Sequence, residues 1–397
     1  MNGGITRVAL VSEHASPLAR VGSSDAGGQN VYVAALAEAL GRRGLDVVVY
    51  TRRTGKLLPR RVQLAERVLL EHVDAGPPAE LARDALFPFM PQFSRGLWQA
   101  WRQNKPHVVH SHYWMSGTAA MSAAKPLGLP VVQTFHALGV TKRRHQGRRA
   151  SSQRARIRVE TALASAVDAV AATSTEELEE LRGCGARPRL AQVVPCGVDT
   201  ALFRPASVHR PPVRCVAAVG RLVERKGVDD VVRSLRRLPG VRLVVAGGSG
   251  RDDDPDARRL LGLAQRLEVA DRVDLIGPVR HTAVPALLRS VNVVVCVPWY
   301  EPFGMVALEA MACAVPVVAT AVGGLRETVL DGETGVHVPA HDHSRLAAAL
   351  TVLLEDREWC ESLGAHGAKR AASMYTWNRV ADSLLQLYAE VVRRRVP

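Results

Sequence analysis

Short continuous runs of apolar residues recur along the chain, and amphipathic segments lie between them. Thr6–Val11 and Asp46–Tyr50 are such runs, whereas Val31–Gly44 has helical spacing and ends at a glycine. Runs without polar alternation are typical of strands that are buried on both faces of a parallel sheet. The order of strand, glycine-containing loop, helix and strand predicts a βαβ unit at the start of the chain.

The same alternation continues through most of the chain and predicts two α/β domains. Further strands are predicted at His107–His112, Pro130–His136, Asp168–Ser174, Ala191–Asp199, Arg214–Arg221, Arg242–Gly248, Val273–Gly277 and Asn292–Val297. A length of 397 residues is more than one core usually supports. We therefore expect a Rossmann-like domain over residues 1–208, a second over 209–375, and a C-terminal helix over 376–397. Pro205–Arg214, polar and rich in proline, is the expected linker.

Composition and charge narrow the class of partner. The formal net charge is +14, but basic residues are spread out apart from Lys142–Arg158, and no nucleic-acid motif is present. We expect anionic small molecules as partners and no specific nucleic acid, with contact to an acidic membrane surface left open. No apolar run suits a transmembrane helix, no signal peptide is evident, and the six cysteines form no C-x-x-C pair. These features favour a cytoplasmic protein, with a homodimer retained as a candidate state.

Two carboxylates interrupt the apolar stretch Pro298–Thr320. Phe303–Ala314 predicts a buried helix of about three turns, with Glu301 just before it and Glu309 inside it. A carboxylate on an apolar helix is costly to bury unless something hydrogen-bonds it. One interpretation is an acid that favours the helix dipole and a second acid that pairs with a distant lysine or arginine. Gly304, near the helix start, also exposes backbone N–H groups in a setting that suits a bound anion.

In the first half, polar residues follow predicted strands at the edge where α/β sheets bind ligands. Gly27 and Gly28 lie at a helix entry, but the block is not G-x-G-x-x-G, so a dinucleotide is not indicated. His110, His112 and His136 come from two strands without the spacing of metal ligands, so we expect no metal. For His110 and His112 a structural role is the simpler interpretation.

Four motifs together carry a family resemblance. They are Glu301-x7-Glu309 around Pro302-Phe303-Gly304, the run Val315–Pro339, the block Asp25–Asn30, and Gly220-Arg221-x4-Lys226-Gly227. The combination resembles the retaining GT-B glycosyltransferases of family four, among them the mycothiol-pathway inositol-phosphate enzymes and, more distantly, the sucrose and sucrose-phosphate synthases. The resemblance covers nearly the whole chain. It implies two Rossmann-like domains that face each other across a cleft, with the C-terminal helix returning to the first domain.

The resemblance also implies a role for each donor-side residue. Arg221 and Lys226 would neutralise the diphosphate of a nucleotide sugar. Glu309 would bind the ribose, Glu301 the hydroxyls of the transferred sugar, and His136 that sugar near its primary hydroxyl. Backbone groups that approach the donor would come from Gly27, Gly28, Phe303, Gly304, Met305 and Val306.

The block that contains Asp25, Gln29 and Asn30 is similar to the family's donor-facing loop, and the resemblance implies that these three side chains bind substrate. For the acceptor, it implies the side chains of Arg83, Tyr113, Lys142 and Arg156. A threonine follows the histidine in the inositol-phosphate enzymes, and Ala137 stands there in this chain. The implied reaction moves a hexosyl group from a UDP- or GDP-sugar to a small hydroxylated, anionic acceptor with retention. The leaving phosphate would take the acceptor proton, so neither a metal nor a cofactor is expected.

Two other classes remain open. One is a GT-B enzyme of different chemistry, such as a sucrose-phosphate-synthase-like enzyme, a nucleotide-sugar epimerase or a phosphorylase, although no pyridoxal-binding lysine context is evident. The other is a non-catalytic protein that binds sugar nucleotides or nucleic acid.

Overall fold

A computed structural model describes residues 4–18, 27–146, 151–206, 214–250 and 253–395. The chain divides into two compact units. The first comprises Met1–Pro195 and Trp377–Pro397, and the second comprises Cys196–Thr376. The second unit thus begins before the proline-rich segment expected as the linker, of which residues 207–213 lie outside the described residues.

The first unit is built on one sheet. Its strands are β1 (Arg7–Val11), β2 (Asp46–Arg52), β3 (Arg61–Ala65), β4 (Val68–Val73), β5 (Val108–His112), β6 (Val131–Thr134), β7 (Ala169–Ala172) and β8 (Ala191–Val193). Within the described residues they follow the order β3-β4-β2-β1-β5-β6-β7-β8. Only the β3–β4 pair is antiparallel among these strands, and the hairpin was not predicted.

Helices cover this sheet: α1 (Gly28–Gly41), α2 (Met90–Gln103), α3 (Trp114–Ala124), α4 (Gly139–Gln146), α5 (Ser151–Ala166) and α6 (Thr175–Gly183). The first helix begins earlier than the hydrophobic pattern predicts, because the Asn30 side chain accepts a hydrogen bond from the Gly27 N–H and caps it. The basic segment Lys142–Arg158 contains the end of α4 and the first half of α5.

The second unit has an all-parallel sheet. Its strands are β9 (Cys215–Val219), β10 (Arg242–Ala246), β11 (Val273–Gly277), β12 (Val293–Cys296), β13 (Val317–Thr320) and β14 (Gly335–Val338). In the part of the chain that is described, their order is β11-β10-β9-β12-β13-β14. Its helices are α7 (Val228–Ser234), α8 (Pro255–Arg266), α9 (Val284–Arg289), α10 (Met305–Ala312), α11 (Leu325–Thr328), α12 (His343–Glu355) and α13 (Arg357–Met374).

The last helix, α14 (Trp377–Arg393), returns to the first unit. It packs against α1, where Arg43 donates to Asp382 at 2.6 Å. The Tyr388 hydroxyl lies 2.6 Å from Nδ1 of His110 on β5. Buried valine, leucine and alanine side chains form a separate core in each unit. The predicted Rossmann-like architecture and the returning helix are therefore confirmed.

The order of the strands reverses once in each sheet. In the first unit β1 lies between β2 and β5, and in the second unit β9 lies between β10 and β12. Ligands of open α/β sheets bind outside the carboxyl ends of the strands at such a reversal. The loops after β1 and β5, and the loops after β9 and β12, are therefore where functional residues are expected.

Candidate functional site

The loop after β12 carries Glu301 and is held by close backbone packing. Gly323 has a φ of +51°, and a Cβ there would lie 1.8 Å from the carbonyl oxygen of Glu301. The Gly324 N–H donates to that same oxygen at 3.2 Å, and Thr320 Oγ1 donates to the Pro298 carbonyl at 2.7 Å. Because only glycine fits at Gly323, the sequence at this turn fixes the position of Glu301.

The loop after β9 brings Lys226 to this carboxylate. Lys226 Nζ donates to Glu301 Oε2 in an ion pair whose side chains are 25% and 15% exposed. The approach needs Gly227, which has a φ of +73° and where a Cβ would lie 2.0 Å from the Val297 carbonyl oxygen. Burial alone would raise the pKa of the Glu301 carboxyl, but the charges of Lys226 and Arg225 hold it below its usual value. Glu301 is therefore a carboxylate at neutral pH.

Arg221 follows β9 and is exposed. Its charge also favours the ionised form of Glu301, so it lies within electrostatic range of the Lys226–Glu301 pair. The structure thus brings together Arg221, Lys226 and Glu301. With His136 of the first unit, these are the residues for which the family resemblance implies a part in catalysis.

The helix that follows is shorter than predicted, because Gly304 precedes it in the left-handed region with a φ of +90°. Phe303 and Gly304 are buried, whereas Met305 and Val306 in the first turn are partly exposed. The first N–H groups of a helix have no carbonyl partner inside it, so this turn suits an anion. Their contact with a nucleotide stays a prediction.

Glu309 lies on the same helix and is almost fully buried. Its partner is neither a lysine nor an arginine: Oε1 lies 2.9 Å from Nε2 of His281, which follows β11. The hydrogen bond to Glu309 raises the pKa of His281 above its ordinary value, against the opposing effect of burial. Sequence reasoning missed His281, since nothing in the spacing relates it to a glutamate on another element.

In the first unit, three histidines meet at the ends of β5 and β6. His112 Nδ1 lies 3.0 Å from His136 Nε2, and His110 Nε2 lies 2.9 Å from Thr134 Oγ1. Burial lowers the pKa of His110 and of His136 to about 3. At neutral pH both rings are uncharged, and His136 has only Nδ1 left to contact a sugar hydroxyl.

A cationic cluster surrounds Tyr113, which follows β5 and has a φ of +78°. The guanidinium carbons of Arg83 and Arg156 lie 5.7 and 5.0 Å from the centre of its ring. Arg156 is buried and donates through Nε to Glu160 at 2.6 Å and through Nη2 to the Ala137 carbonyl at 2.5 Å. Burial alone would lower the pKa of Arg156, but Glu160 keeps it raised, so the guanidinium stays charged.

The predicted residues around the entry to α1 have structural partners. Gln29 Nε2 donates to Ser12 Oγ at 3.1 Å, and Asn30 Nδ2 donates to the Ser16 carbonyl at 2.9 Å. Gly27 is the N-cap and Gly28 the first helical residue. Asp25 lies outside the described residues. Substrate contacts of this group stay predictions.

Lys142 lies on α4, one turn after Leu138, and its contact with an acceptor also stays a prediction.

Within the described ranges, no group of three or more His, Cys, Asp or Glu is placed to hold a metal ion. Of the described residues, none belongs to a helix that is both long and apolar enough to span a membrane.

Relatives align with almost the whole chain. A D-inositol 3-phosphate glycosyltransferase of Kineococcus radiotolerans is 38% identical over 424 residues, covering 99% of this chain and 97% of that protein. Another, from Acidothermus cellulolyticus, is 37% identical and covers 98% of this chain and 91% of that protein. The chain thus spans nearly the full length of both.

Solved structures agree in fold. Sucrose-phosphate synthase from Thermosynechococcus elongatus superposes with a TM-score of 0.92 at 34% identity, covering 98% of this chain and all of that chain. The Anabaena protein HepE in complex with UDP and glucose has a TM-score of 0.77 at 19% identity, which shows the shared fold. It covers 97% of this chain and 100% of that chain.

Two family models match successive parts of the chain. The model described as Glycosyltransferase Family 4 matches residues 26–202, and the model described as Glycosyl transferases group 1 matches residues 199–370. The resemblance inferred from the sequence motifs is therefore confirmed. Together with the two Rossmann-like units, these findings place the chain among the GT-B glycosyltransferases of group 1, family 4.

Proposed function

We propose that this glycosyltransferase moves a hexosyl group from a UDP- or GDP-sugar to a small phosphorylated acceptor, with retention at the anomeric carbon. The second unit binds the donor, and the first unit binds the acceptor. The observation that carries the proposal is the pair of guanidinium groups, Arg83 and Arg156, on the ring of Tyr113. Arginine is the side chain best suited to a phosphate, because its N–H groups match two phosphate oxygens.

The relatives support a phosphorylated acceptor in two forms. The two relatives that align over nearly the whole chain are named for inositol 3-phosphate. The solved structure that is 34% identical to the chain is named for sucrose phosphate. A cyclitol phosphate and a sugar phosphate are therefore the two acceptor classes we propose. Both present an anion for Arg83 and Arg156 together with several hydroxyl groups.

On the donor side, Lys226 and Arg221 stabilise the charge that develops on the leaving diphosphate. Glu301 is ionised and accepts hydrogen bonds from hydroxyls of the transferred sugar. Glu309 exchanges its hydrogen bond with His281 for hydrogen bonds from the ribose hydroxyls. His136, uncharged, contacts that sugar through Nδ1. The bond from the anomeric carbon to the diphosphate breaks on the face that the acceptor oxygen attacks. The acceptor proton passes to the leaving phosphate, so no protein nucleophile and no metal takes part.

The test is a matrix of UDP- and GDP-hexoses against inositol 3-phosphate, fructose 6-phosphate and unphosphorylated inositol and fructose. Products are identified by mass spectrometry, their anomeric configuration by NMR, and nucleoside diphosphate release by a coupled assay. We expect transfer to one phosphorylated acceptor, an axial-type retained linkage for an α-donor, and unchanged rates in excess EDTA. An inverted anomeric configuration would contradict retention, and loss of activity in EDTA would contradict a reaction without metal. Preference for the unphosphorylated compounds would contradict the phosphorylated acceptor.

Two further outcomes separate the alternatives. Transfer to fructose 6-phosphate alone favours sucrose-phosphate-synthase-like chemistry, whereas donor binding without any turnover favours a non-catalytic sugar-nucleotide-binding protein. None of the six cysteines, all of which lie in the described ranges, is in a disulfide bond, which supports a reducing compartment such as the cytoplasm. Sedimentation velocity with and without donor tests the homodimer.

A further inference from the structure

The three histidines of the first unit form one group of neighbouring rings. His110 and His112 belong to β5, and His136 comes two residues after β6. The ring centres of His110 and His112 lie 4.3 Å apart, and those of His112 and His136 lie 5.2 Å apart. Burial lowers the pKa of all three rings, that of His112 well below its ordinary value. Each ring is therefore neutral and carries a single N–H.

Both nitrogens of His110 are committed to partners outside this group. The Thr134 hydroxyl donates to the Ala171 carbonyl at 2.8 Å, so the Thr134 oxygen accepts from Nε2–H of His110 at 2.9 Å. Nδ1 of His110 then has a lone pair, which accepts a hydrogen bond from the Tyr388 hydroxyl at 2.6 Å. His110 thus packs against His112 but has no nitrogen left to hydrogen-bond it.

The proton of His112 has one favourable position. Its Nδ1 lies 3.0 Å from Nε2 of His136, whereas its own Nε2 is buried and meets no hydrogen-bond partner among the residues that the structure describes. A buried N–H without an acceptor is rarer in proteins than an acceptor with an unused lone pair. The proton of His112 therefore lies on Nδ1, and His112 donates to His136.

This hydrogen bond fixes the tautomer of His136 in turn. Because Nε2 of His136 accepts from His112, a neutral His136 carries its own proton on Nδ1. His136 is partly exposed and has a φ of +61°, which is uncommon outside glycine and is often found at functional sites. The ring of Tyr32 packs edge-on against its ring, with the centres 4.9 Å apart. The nitrogen of His136 that remains for a ligand is therefore a donor and not an acceptor.

We propose that His112 is a positioning residue that makes His136 a hydrogen-bond donor toward the transferred sugar. The group on the sugar that meets His136 must then be an acceptor, such as a hydroxyl, and a group that only donates, such as an ammonium, is rejected. His112 is fully buried, so it contributes to the choice of sugar through His136 alone. The inference rests on the proposed function, because it takes His136 as the contact of the transferred sugar near its primary hydroxyl.

Nitrogen NMR measures the tautomers directly in the whole native chain. The histidines are isotope-labelled, and His112→Asn and His136→Gln assign their signals. Long-range proton–nitrogen spectra then distinguish a protonated ring nitrogen from an unprotonated one. We expect His112 and His136 to be protonated on Nδ1. A protonated Nε2 on His136 would overturn the proposal without the need for any kinetic result.

Donor kinetics test the consequence for specificity. The donor that the native chain uses is compared with an analogue in which an amine, protonated at neutral pH, replaces the primary hydroxyl of the hexose. We expect kcat/KM for the analogue to be about tenfold lower, because a hydrogen bond is lost and a donor is left unpaired. His112→Phe keeps a ring but releases the tautomer of His136, so this preference should narrow to about twofold. His112→Asn, whose amide nitrogen is able to donate in place of Nδ1, should keep most of the preference.

Tyr388→Phe is the matched control, because it removes a buried hydrogen bond from the same group of rings but leaves His112 paired with His136. It should lower the unfolding temperature and keep the native preference between the two donors. Thermal unfolding also verifies that each variant is folded. If His136→Ala leaves donor kcat/KM unchanged, the sugar contact in the proposed function is wrong, whatever the tautomer. If His136→Ala lowers it, but His112→Phe keeps the native preference, the role of His112 alone is overturned.

Discussion

Lys226→Met tests the electrostatic core of the donor site. Lys226 is one of two basic residues expected on the diphosphate, and in the structure it is paired with Glu301. Methionine keeps most of the aliphatic volume but removes the charge and the hydrogen-bond donors. Two effects are therefore expected on UDP affinity. The diphosphate loses a cationic partner, and Glu301 becomes an unpaired carboxylate beside an anionic ligand.

The structure bounds the size of these effects. A hydrogen bond to a charged group contributes about 1.5–3 kcal/mol, which corresponds to roughly tenfold to 150-fold in the dissociation constant. Lys226 is 25% exposed, so solvent screens part of its charge and the lower half of this range applies. We expect UDP to bind about 10–50-fold more weakly to Lys226→Met. The catalytic rate should fall further, because charge on the diphosphate grows as the glycosidic bond breaks.

Isothermal titration with UDP measures the loss, and a double-mutant cycle with Glu301→Gln assigns its cause. If Lys226 contacts the diphosphate, Lys226→Met with Glu301→Gln binds UDP as weakly as Lys226→Met alone, within about threefold. If the loss comes only from the unpaired carboxylate, Glu301→Gln restores native affinity, and the diphosphate role is refuted. Arg233→Met, the same charge change on α7, is the control and should bind UDP like the native chain.

Three further predictions concern buried partners. Glu160→Gln breaks a buried pair and leaves Arg156 without its carboxylate, so we expect about 3 kcal/mol lower stability in urea denaturation. Because Glu309 raises the pKa of His281, their pair stabilises the fold fully below the ordinary pKa of about 6.5. That contribution is lost as pH rises through the raised pKa of His281. In His281→Gln, the free energy of unfolding, measured by urea denaturation at a series of pH values, should therefore depend less on pH in this range. Ala137→Thr adds a hydroxyl beside Arg156 and should lower the KM for inositol 3-phosphate; an unchanged KM would contradict a phosphate there.

Most of the fold could be predicted from the sequence because buried parallel strands are continuous apolar runs. The strand Val273–Gly277 was predicted at the residues that the structure shows, and the predicted strand Thr6–Val11 differs from β1 by one residue. The predicted ends of helices were wrong where the backbone conformation changes but the residues stay apolar. The helix predicted over Phe303–Ala314 is shorter because Gly304 and Ala314 both have positive φ. An alanine at the end of an apolar helix gives no sign of that turn.

The candidate site was predicted less evenly. Motif residues lie on strand ends, so their approximate place follows from the alternation of strands and helices. Their partners do not: His281 reaches Glu309 from a different element, and Arg156 reaches the Ala137 carbonyl from the next helix but one. Such pairs depend on the register of the sheet and on side-chain direction, which hydrophobic periodicity does not encode.

The acceptor side shows why partners matter for the chemistry. Two of the Arg156 nitrogens, Nε and Nη2, donate to Glu160 and to the Ala137 carbonyl. Arg83 Nε, by contrast, is buried without a partner among the described residues. Burying a guanidinium group while leaving a donor unpaired is unfavourable, so Arg83 gains most from a ligand that brings acceptor oxygens. A phosphate brings several such oxygens, whereas a hydroxyl brings one. We therefore expect selectivity for phosphorylated acceptors, and Arg83→Met should weaken it.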